Sequence, residues 1–262
     1  MSQQLALLTQ DLLRNLELNE EDLKKMVADA VFYLLIADQK KGIIRKNEIV
    51  NACDLKKRDR KLQEHVLRLA SNDLSLKFGI ELKELENKST FILINKLREV
   101  GSKNQFLNWS DKESAQMGIT FIILGLILMS NEKIAEDTLL DFLRNLGLHE
   151  DEKNVRNGTA TAIDSEILAL FDGDVKRFVN DVLVNKQHYL KKVRVKDDEV
   201  ERYEYIWGDR SEAEVKKSTV FRMVCSVYDC EPKMFTEQYE KIKARLYKVF
   251  FGFWFNTGNI LY

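Results

Sequence analysis

Apolar and charged positions alternate most clearly late in the chain. Residues 203–207 read Tyr-Glu-Tyr-Ile-Trp, and a run of Gly-Asp-Arg-Ser-Glu-Ala-Glu follows at 208–214. Alternation with a period of two predicts a half-buried strand, and acidic residues directly after a glycine favour the start of a helix. A second run suited to a strand, 189–195, comes before the polar turn at 196–199. We therefore predict a β-hairpin that leads directly into a helix.

Helical spacing dominates the first part of the chain. A wide apolar band follows the acids at 20–22 and stops at Gly42, and a later helical pattern stops at Gly79. Glycine is a common residue at such stops because it adopts the left-handed conformation easily. The predicted elements are helices at 20–42, 45–52 and 56–78 and strands at 80–85 and 91–97. Three helices followed by a hairpin is the order of a winged helix.

The same order returns about ninety residues later. The apolar helix, polar turn and second helix at 35–49 resemble those at 127–140, and a third helix is predicted at 174–185 before the hairpin. We predict a mainly α fold with small β-hairpins (α+β), built of two tandem winged-helix domains. The predicted parts are an N-terminal segment 1–22, a first winged-helix domain 23–100, a connector 101–112, a second winged-helix domain 113–230, and a C-terminal helix with an aromatic tail 231–262.

Irregular and terminal segments complete this organisation. A loop rich in Asn, Asp, Gly and Thr is predicted at 149–161, inside the second domain. The pattern from Ser211 to Val249 is helical and is broken by Pro232, the single proline. The run 118–129 holds twelve residues without a charge, which is shorter than the roughly 20 that span a bilayer. We predict a buried core helix there.

Composition limits the possible functions. Hydrophobic residues make up 45% of the 262 residues, while 41 lysines and arginines nearly balance 42 acids. Nucleic-acid binding would therefore have to come from a local basic patch. Three cysteines without a CxxC pair, and the absence of a secretory signal pattern, favour an intracellular protein without disulfides or structural zinc.

No catalytic motif is present in the sequence. His65, His149 and His188 are far apart and show no metal-binding spacing, and the glycines do not form a phosphate-binding loop. Each histidine is better explained as a surface or partly buried side chain. We predict no catalytic residues, no metal and no cofactor.

Two basic clusters are stronger signals. One is 56–61, Lys-Lys-Arg-Asp-Arg-Lys, at the start of a predicted third helix. The other lies on the second wing and consists of Lys186, Lys191, Lys192, Arg194 and Lys196. Alternation places the last three of these on one face, where they could follow a phosphate backbone without reading sequence. A solvated charged surface is an equal alternative for the second cluster and is favoured for the first.

Two apolar features could be core or could bind a partner. Leu34 and Leu35 lie on a helix that is already apolar on its other face, so the core is the default interpretation. Residues 250–255 hold five aromatics, which either fold back on the protein or dock to a partner. We favour the intramolecular role for this tail.

Three segments carry a resemblance to a known family. They are 125–134 (Gly-Leu-Ile-Leu-Met-Ser-Asn-Glu-Lys-Ile), 139–148 (Leu-Leu-Asp-Phe-Leu-Arg-Asn-Leu-Gly-Leu) and 203–215, with Trp-Gly followed by Arg-x-x-Ala-Glu. They resemble the MAGE homology domain, the tandem winged-helix domain of the melanoma-associated antigen family. The resemblance extends from about Leu23 to about Tyr239. Asp209 departs from the family pattern, which usually has proline there.

The resemblance implies a non-enzymatic adaptor. It is similar to the branch that serves in the SMC 5-6 complex, which implies a nuclear protein of DNA repair and recombination, not a membrane protein. The implied partners are a RING-type E3 ligase subunit (non-SMC element 1 type), a kleisin subunit (non-SMC element 4 type) and double-stranded DNA. Leu34 and Leu35 match the family's RING-contacting leucine pair. The kleisin interface is expected on the second domain, without assigned residues.

Other functions remain open at this point. A free-standing regulator of a RING E3 ubiquitin ligase would have the same domain but no role on DNA. A sequence-specific transcription factor is less favoured, since two fused winged helices of near-neutral charge lack the symmetry of a dimeric DNA-binding protein. The basic wing distinguishes the first two possibilities.

Overall fold

The chain forms two compact units, Met1–Leu107 and Asn108–Tyr262. The computed structural model describes residues 9–10, 13–14, 18–39, 42–85, 89–96, 110–148, 165–196 and 201–245. Most of the predicted connector (101–109), the loop 149–161 and the aromatic tail lie outside the described residues. The finer domain boundaries therefore stay predictions.

The first unit has the winged-helix order of elements. Its helices are α1 (Glu20–Asp38), α2 (Lys46–Ala52) and α3 (Arg60–Phe78), and its strands are β1 (Ile44–Arg45), β2 (Ile80–Glu84) and β3 (Thr90–Asn95). The strands form an antiparallel sheet in the order β1-β3-β2, with Leu82 opposite Leu93. One face of the sheet and the three helices enclose a single apolar core.

Helix starts in this unit follow their caps. The Asn19 side chain accepts a hydrogen bond from the backbone N–H of Asp22 at 2.6 Å, which fixes the start of α1. Asp59 accepts from the N–H of Lys61 at 2.6 Å, so α3 begins at Arg60. Its predicted start at residue 56 was wrong, because residues 56–58 form turns before this cap.

The second unit repeats the order with additions. Its helices are α4 (Asp111–Met129), α5 (Glu136–Asn145), α6 (Ser165–Leu170), α7 (Val175–Arg177), α8 (Asp209–Glu214), α9 (Lys217–Val227) and α10 (236–245), and its strands are β4 (Lys133–Ala135), β5 (Leu190–Lys196) and β6 (Glu201–Trp207). The sheet order is β4-β6-β5 and all pairs are antiparallel. The predicted fold class, two tandem winged helices with small hairpins, is confirmed.

Helix α4 is the centre of the second core. By length and composition it could cross a membrane, but one side of it is buried inside the unit, with Ile123, Leu124 and Ile127 fully buried. Gly125 lets α9 come close, since a Cβ there would be 3.2 Å from a methyl carbon of Val224. The prediction of a buried core helix is confirmed for this run.

The third helix of the second unit is wound irregularly. After one turn at Val175–Arg177 the chain continues as a π-helix, Phe178–Lys186, instead of the predicted α-helix. The side-chain amide of Asn180 donates to the carbonyl oxygen of Lys176, and its oxygen accepts from the Tyr205 hydroxyl. Long π-helical segments are rare, and sequence periodicity does not distinguish them from α-helix.

The Trp-Gly step closes the second wing. The N–H of Gly208 donates to the carbonyl oxygen of Tyr189 at 2.8 Å, and the N–H of Arg210 donates to the carbonyl of His188 at 3.1 Å. A Cβ on Gly208 would lie 2.3 Å from the His188 oxygen, so only glycine fits. The end of β6 is thereby fastened to the start of β5.

Replacing Gly208 with alanine is expected to destabilise the second unit by at least about 2 kcal/mol, because the clash is with backbone that cannot rotate away. The matched control is Gly118→Ala, at an exposed helical position of α4 where nothing lies within 4 Å of the new Cβ. This control should stabilise by up to about 1 kcal/mol. Urea denaturation followed by tryptophan fluorescence measures both, and equal midpoints would contradict the role given to Gly208.

Candidate partner and nucleic-acid surfaces

The leucine pair on α1 is divided between core and surface. Leu34 is fully buried in the first core, whereas Leu35 is half-buried at its edge. Consecutive helical residues point about 100° apart, so a pair of this kind is rarely accessible on both members. Of the two predicted contact residues, only Leu35 offers surface to a partner.

Leu35 belongs to an exposed apolar face. Phe32 is 68% exposed and Ile36 is 48% exposed. Positions i, i+3 and i+4 lie side by side on a helix, so Phe32, Leu35 and Ile36 form one continuous surface, which we call the α1 face. The pair Leu34 and Leu35 was predicted from the family resemblance, which gives the leucine positions but not which of them is exposed in this chain.

Lys192 lies on the inner side of the second wing. Its ammonium is 2.7 Å from a carboxylate oxygen of Glu136 and 4.5 Å from the centre of the Tyr203 ring. The Tyr205 hydroxyl, which donates to Asn180 at 2.8 Å, lies 3.2 Å from the same carboxylate. The side chain is only 25% exposed, so this cation holds the wing to the start of α5.

The remaining cations of the second wing differ in their surroundings. Arg194 forms an ion pair across the hairpin with Glu201. Lys186 and Lys191 are exposed, and Lys186 makes no ion pair with any described residue. The side chain of Lys196 lies outside the described residues. The five cations predicted as a DNA-binding cluster are thus not equivalent, and Lys192, one of the three predicted on a single face, is turned inward.

The first basic cluster is the more open of the two. Its cations precede and begin α3, and Arg60 pairs with Glu64 at 3.0 Å. The other four side chains are exposed and form no ion pair with described residues: Lys56, Lys57, Arg58 and Lys61. The sequence favoured the second cluster over this one, since the partners of a charge cannot be read from its neighbours in sequence.

A buried guanidinium lies beneath the second wing. Arg210 has no exposed surface, and its Nε donates to the carbonyl oxygen of Gln187 at 2.9 Å. Another nitrogen of Arg210 lies 2.9 Å from Glu214, and the other oxygen of Glu214 accepts from the Tyr189 hydroxyl at 2.7 Å. The Arg-x-x-Ala-Glu segment therefore locks the second wing, by holding the start of α8 to the residues before β5, and is not a binding surface.

Titratable groups with displaced pKa values have structural causes. Burial, with Arg68 nearby, lowers the pKa of His65, and its ring nitrogens contact Thr9 and Arg68. Burial raises the pKa of the Cys53 thiol to about 11 and, together with Glu136, raises that of Tyr205. Within the described ranges, no three His, Cys, Asp or Glu side chains are grouped as metal ligands would be.

Fold and surfaces together define a class of protein. The chain is a tandem winged-helix protein whose second wing is locked from within and whose first helix exposes an apolar face. The family model of the MAGE homology domain matches residues 31–218. The chain belongs to the MAGE homology domain family.

Known proteins of this family are similar over most of the chain. The mouse non-structural maintenance of chromosomes element 3 homolog is 33% identical over 221 residues, which are 84% of this chain and 72% of the relative. The human homolog is 32% identical over 84% of this chain and 66% of its own length. A solved structure described as an Nse1-Nse3-Nse4 complex has a chain of 27% identity, which matches with a TM-score of 0.69 over 86% of this chain and 99% of that chain.

Arg210→Ala is expected to cost about 3–5 kcal/mol of unfolding free energy, because it leaves Glu214 with 14% exposure and no counter-charge. Arg194→Ala is the matched control, since that ion pair is more than half exposed on both sides. It should cost less than about 1 kcal/mol. Thermal and urea unfolding compare the two, and similar losses of stability would show that Arg210 does not lock the wing.

Proposed function

We propose that this protein is a non-enzymatic adaptor subunit of a chromosome-maintenance complex of the SMC 5-6 type, acting in the nucleus in DNA repair. The observation that carries the proposal is the match to a chain of the Nse1-Nse3-Nse4 complex, which extends over nearly all of that chain. Two relatives that share the element 3 name support it. The proposed partners are a RING-type ligase subunit and a kleisin.

The α1 face is the proposed contact for the RING-type partner. Phe32 and Ile36 are 68% and 48% exposed and lie beside Leu35, and contiguous exposed apolar side chains mark protein interaction sites. Leu34 supports this face from below and is not itself a contact. A cluster of one aromatic and two aliphatic anchors suits the centre of a protein interface.

The kleisin is proposed to bind the second unit. That unit exposes Ile122 on α4, Ile167 on α6 and Leu146 after α5, each more than a third exposed. Amphipathic partner helices bind such surfaces by burying apolar side chains. The aromatic tail, the other candidate for docking, lies outside the described residues.

DNA binding is proposed as a weak, sequence-independent contribution. Lys186 and Lys191 are exposed at the base of the second wing, and Arg194 is more than half exposed despite its pairing. Lys192 is omitted from the contact set, because phosphate binding would require breaking its bond to Glu136. Cations placed along a strand would position a duplex by its backbone.

A free-standing regulator of a RING E3 ubiquitin ligase is the second candidate. The specific observation in its favour is the internal neutralisation of Lys192 and Arg194, which reduces the positive surface that DNA would meet. Both candidates share the α1 face. Only the SMC 5-6 subunit would also bind a kleisin and DNA.

The double variant Phe32→Ala, Leu35→Ala is expected to weaken binding of the RING-type partner by at least about tenfold, because it removes the centre of the apolar contact. Isothermal titration of the purified full chain with that partner measures the change. Leu76→Ala is the matched control, since Leu76 is 75% exposed on α3 of the same unit. Circular dichroism checks that both variants keep their helix content. Unchanged affinity in the folded double variant would remove the α1 face from the interface.

The double variant Lys186→Glu, Lys191→Glu is expected to weaken binding to a short DNA duplex. The slope of log affinity against log salt should flatten by roughly 0.9 for each phosphate that the variant no longer binds. Fluorescence anisotropy at several salt concentrations measures this slope. Lys192 is left unchanged because glutamate there would meet Glu136 and unfold the wing.

The first basic cluster provides the comparison for this experiment. Lys56→Glu, Lys57→Glu makes the same change of charge at exposed positions of the other unit. A flattened slope in this variant alone would move the DNA contact to the first unit. No change in either variant would favour the ligase regulator without a role on DNA.

A further inference from the structure

The C-terminal end of α9 brings two cysteines together. The N–H of Cys230 donates to the carbonyl oxygen of Cys225 at 3.0 Å, and the N–H of Asp229 donates to that of Ser226. Asp229 has a φ of +47°, in the left-handed region. This pair of hydrogen bonds around a left-handed residue is a Schellman motif. Cys225 is the third-last residue of the helix, and Cys230 is the second residue after the helix cap.

A Schellman motif places those two side chains in contact, usually as an apolar pair. Here both are thiols, and Cys230 is close enough to add to the effect of burial that raises the pKa of Cys225. Bond lengths around the 3.0 Å hydrogen bond limit the separation of the two Cα atoms to at most about 7 Å. Disulfides span Cα separations of about 4.4–6.8 Å, so closure needs little backbone movement.

We propose that Cys225 and Cys230 are a redox modification site that closes reversibly to an intrachain disulfide. The two thiols differ in access: Cys225 is buried, whereas Cys230 is partly exposed. Burial raises the pKa of Cys225, which keeps it protonated until its partner has reacted. Cys53 is buried in the other unit's core and takes no part.

The oxidant that fits this arrangement is a peroxide. The Cys230 thiolate attacks one peroxide oxygen, the O–O bond breaks, and hydroxide leaves, so that Cys230 becomes a sulfenic acid. The Cys225 sulfur then attacks the Cys230 sulfur, the S–O bond breaks, and the leaving hydroxide takes up the thiol proton as water. Overall, two thiols lose two electrons and two protons, and one peroxide becomes two waters.

The disulfide would fix the start of the C-terminal arm. After Cys230 the chain passes Phe235, whose ring meets Tyr228 at 5.9 Å, and enters α10. Helix α10 is held on the second unit by Arg245, which lies 2.7 Å from Glu132, and by Lys241, which lies 2.9 Å from Asn131. Oxidation therefore joins the end of α9 covalently to the segment that positions α10.

The test treats the folded full chain with a small excess of hydrogen peroxide and then alkylates all thiols under denaturing conditions. The intact mass should show one alkylated thiol per chain instead of three. Reduction with dithiothreitol before alkylation should restore three. Peptide mapping should find the bond between residues 225 and 230. The oxidised form should also show a higher Tm and slower cleavage by trypsin after Lys233.

Two variants separate the possible outcomes. Cys53→Ser should still close the disulfide and leave no free thiol, whereas Cys230→Ser should keep both of its thiols alkylatable. Circular dichroism before oxidation shows that each variant is folded. Three results would each overturn the proposal. They are an oxygenated Cys230 beside a free Cys225, a disulfide-linked dimer, and a disulfide bond to Cys53.

Discussion

The buried ion pair of Arg210 and Glu214 is the constraint on which the second unit depends. A guanidinium without any exposed surface must have all its interactions supplied by the protein, and here Gln187, Glu214 and Tyr189 supply them. Removing either Arg210 or Glu214 leaves the other as a buried charge without a counter-charge, so the two are needed together. Because Gly208 allows the two chain segments to meet, the base of the hairpin has one register.

That register decides how the charges of the wing are used. With Leu190 opposite Trp207, Lys192 falls opposite Tyr205 and faces inward to Glu136. A shift by one residue would turn the same lysine to solvent and bury its neighbours. The lock beneath the wing therefore converts part of a basic strand into internal structure, while the turn before α3 in the first unit leaves its cations exposed. Similar runs of basic residues are therefore partly buried as structure in the second unit and exposed to solvent in the first.

The sequence was sufficient for features with local causes. Alternation predicted β6, glycine predicted the end of α3, and self-similarity predicted two winged helices. It missed β1 and β4, since two or three residues are too few to show a period, and it could not identify the π-helix. The candidate sites were predicted less well. Glu136 is 56 residues from Lys192 in sequence, and the residues around Lys192 do not indicate that contact.

The two units differ in how far described elements cover the first helix of each. In the second unit α9 packs against Gly125, so the buried side of α4 joins the core while Ile122 stays 41% exposed. In the described part of the first unit no corresponding helix covers α1, and Phe32 and Ile36 remain largely in solvent. Such exposure opposes solubility unless another chain covers it. Both units leave apolar side chains in solvent, Phe32 and Ile36 in the first and Ile122 in the second, and such surface suits a protein that joins other chains.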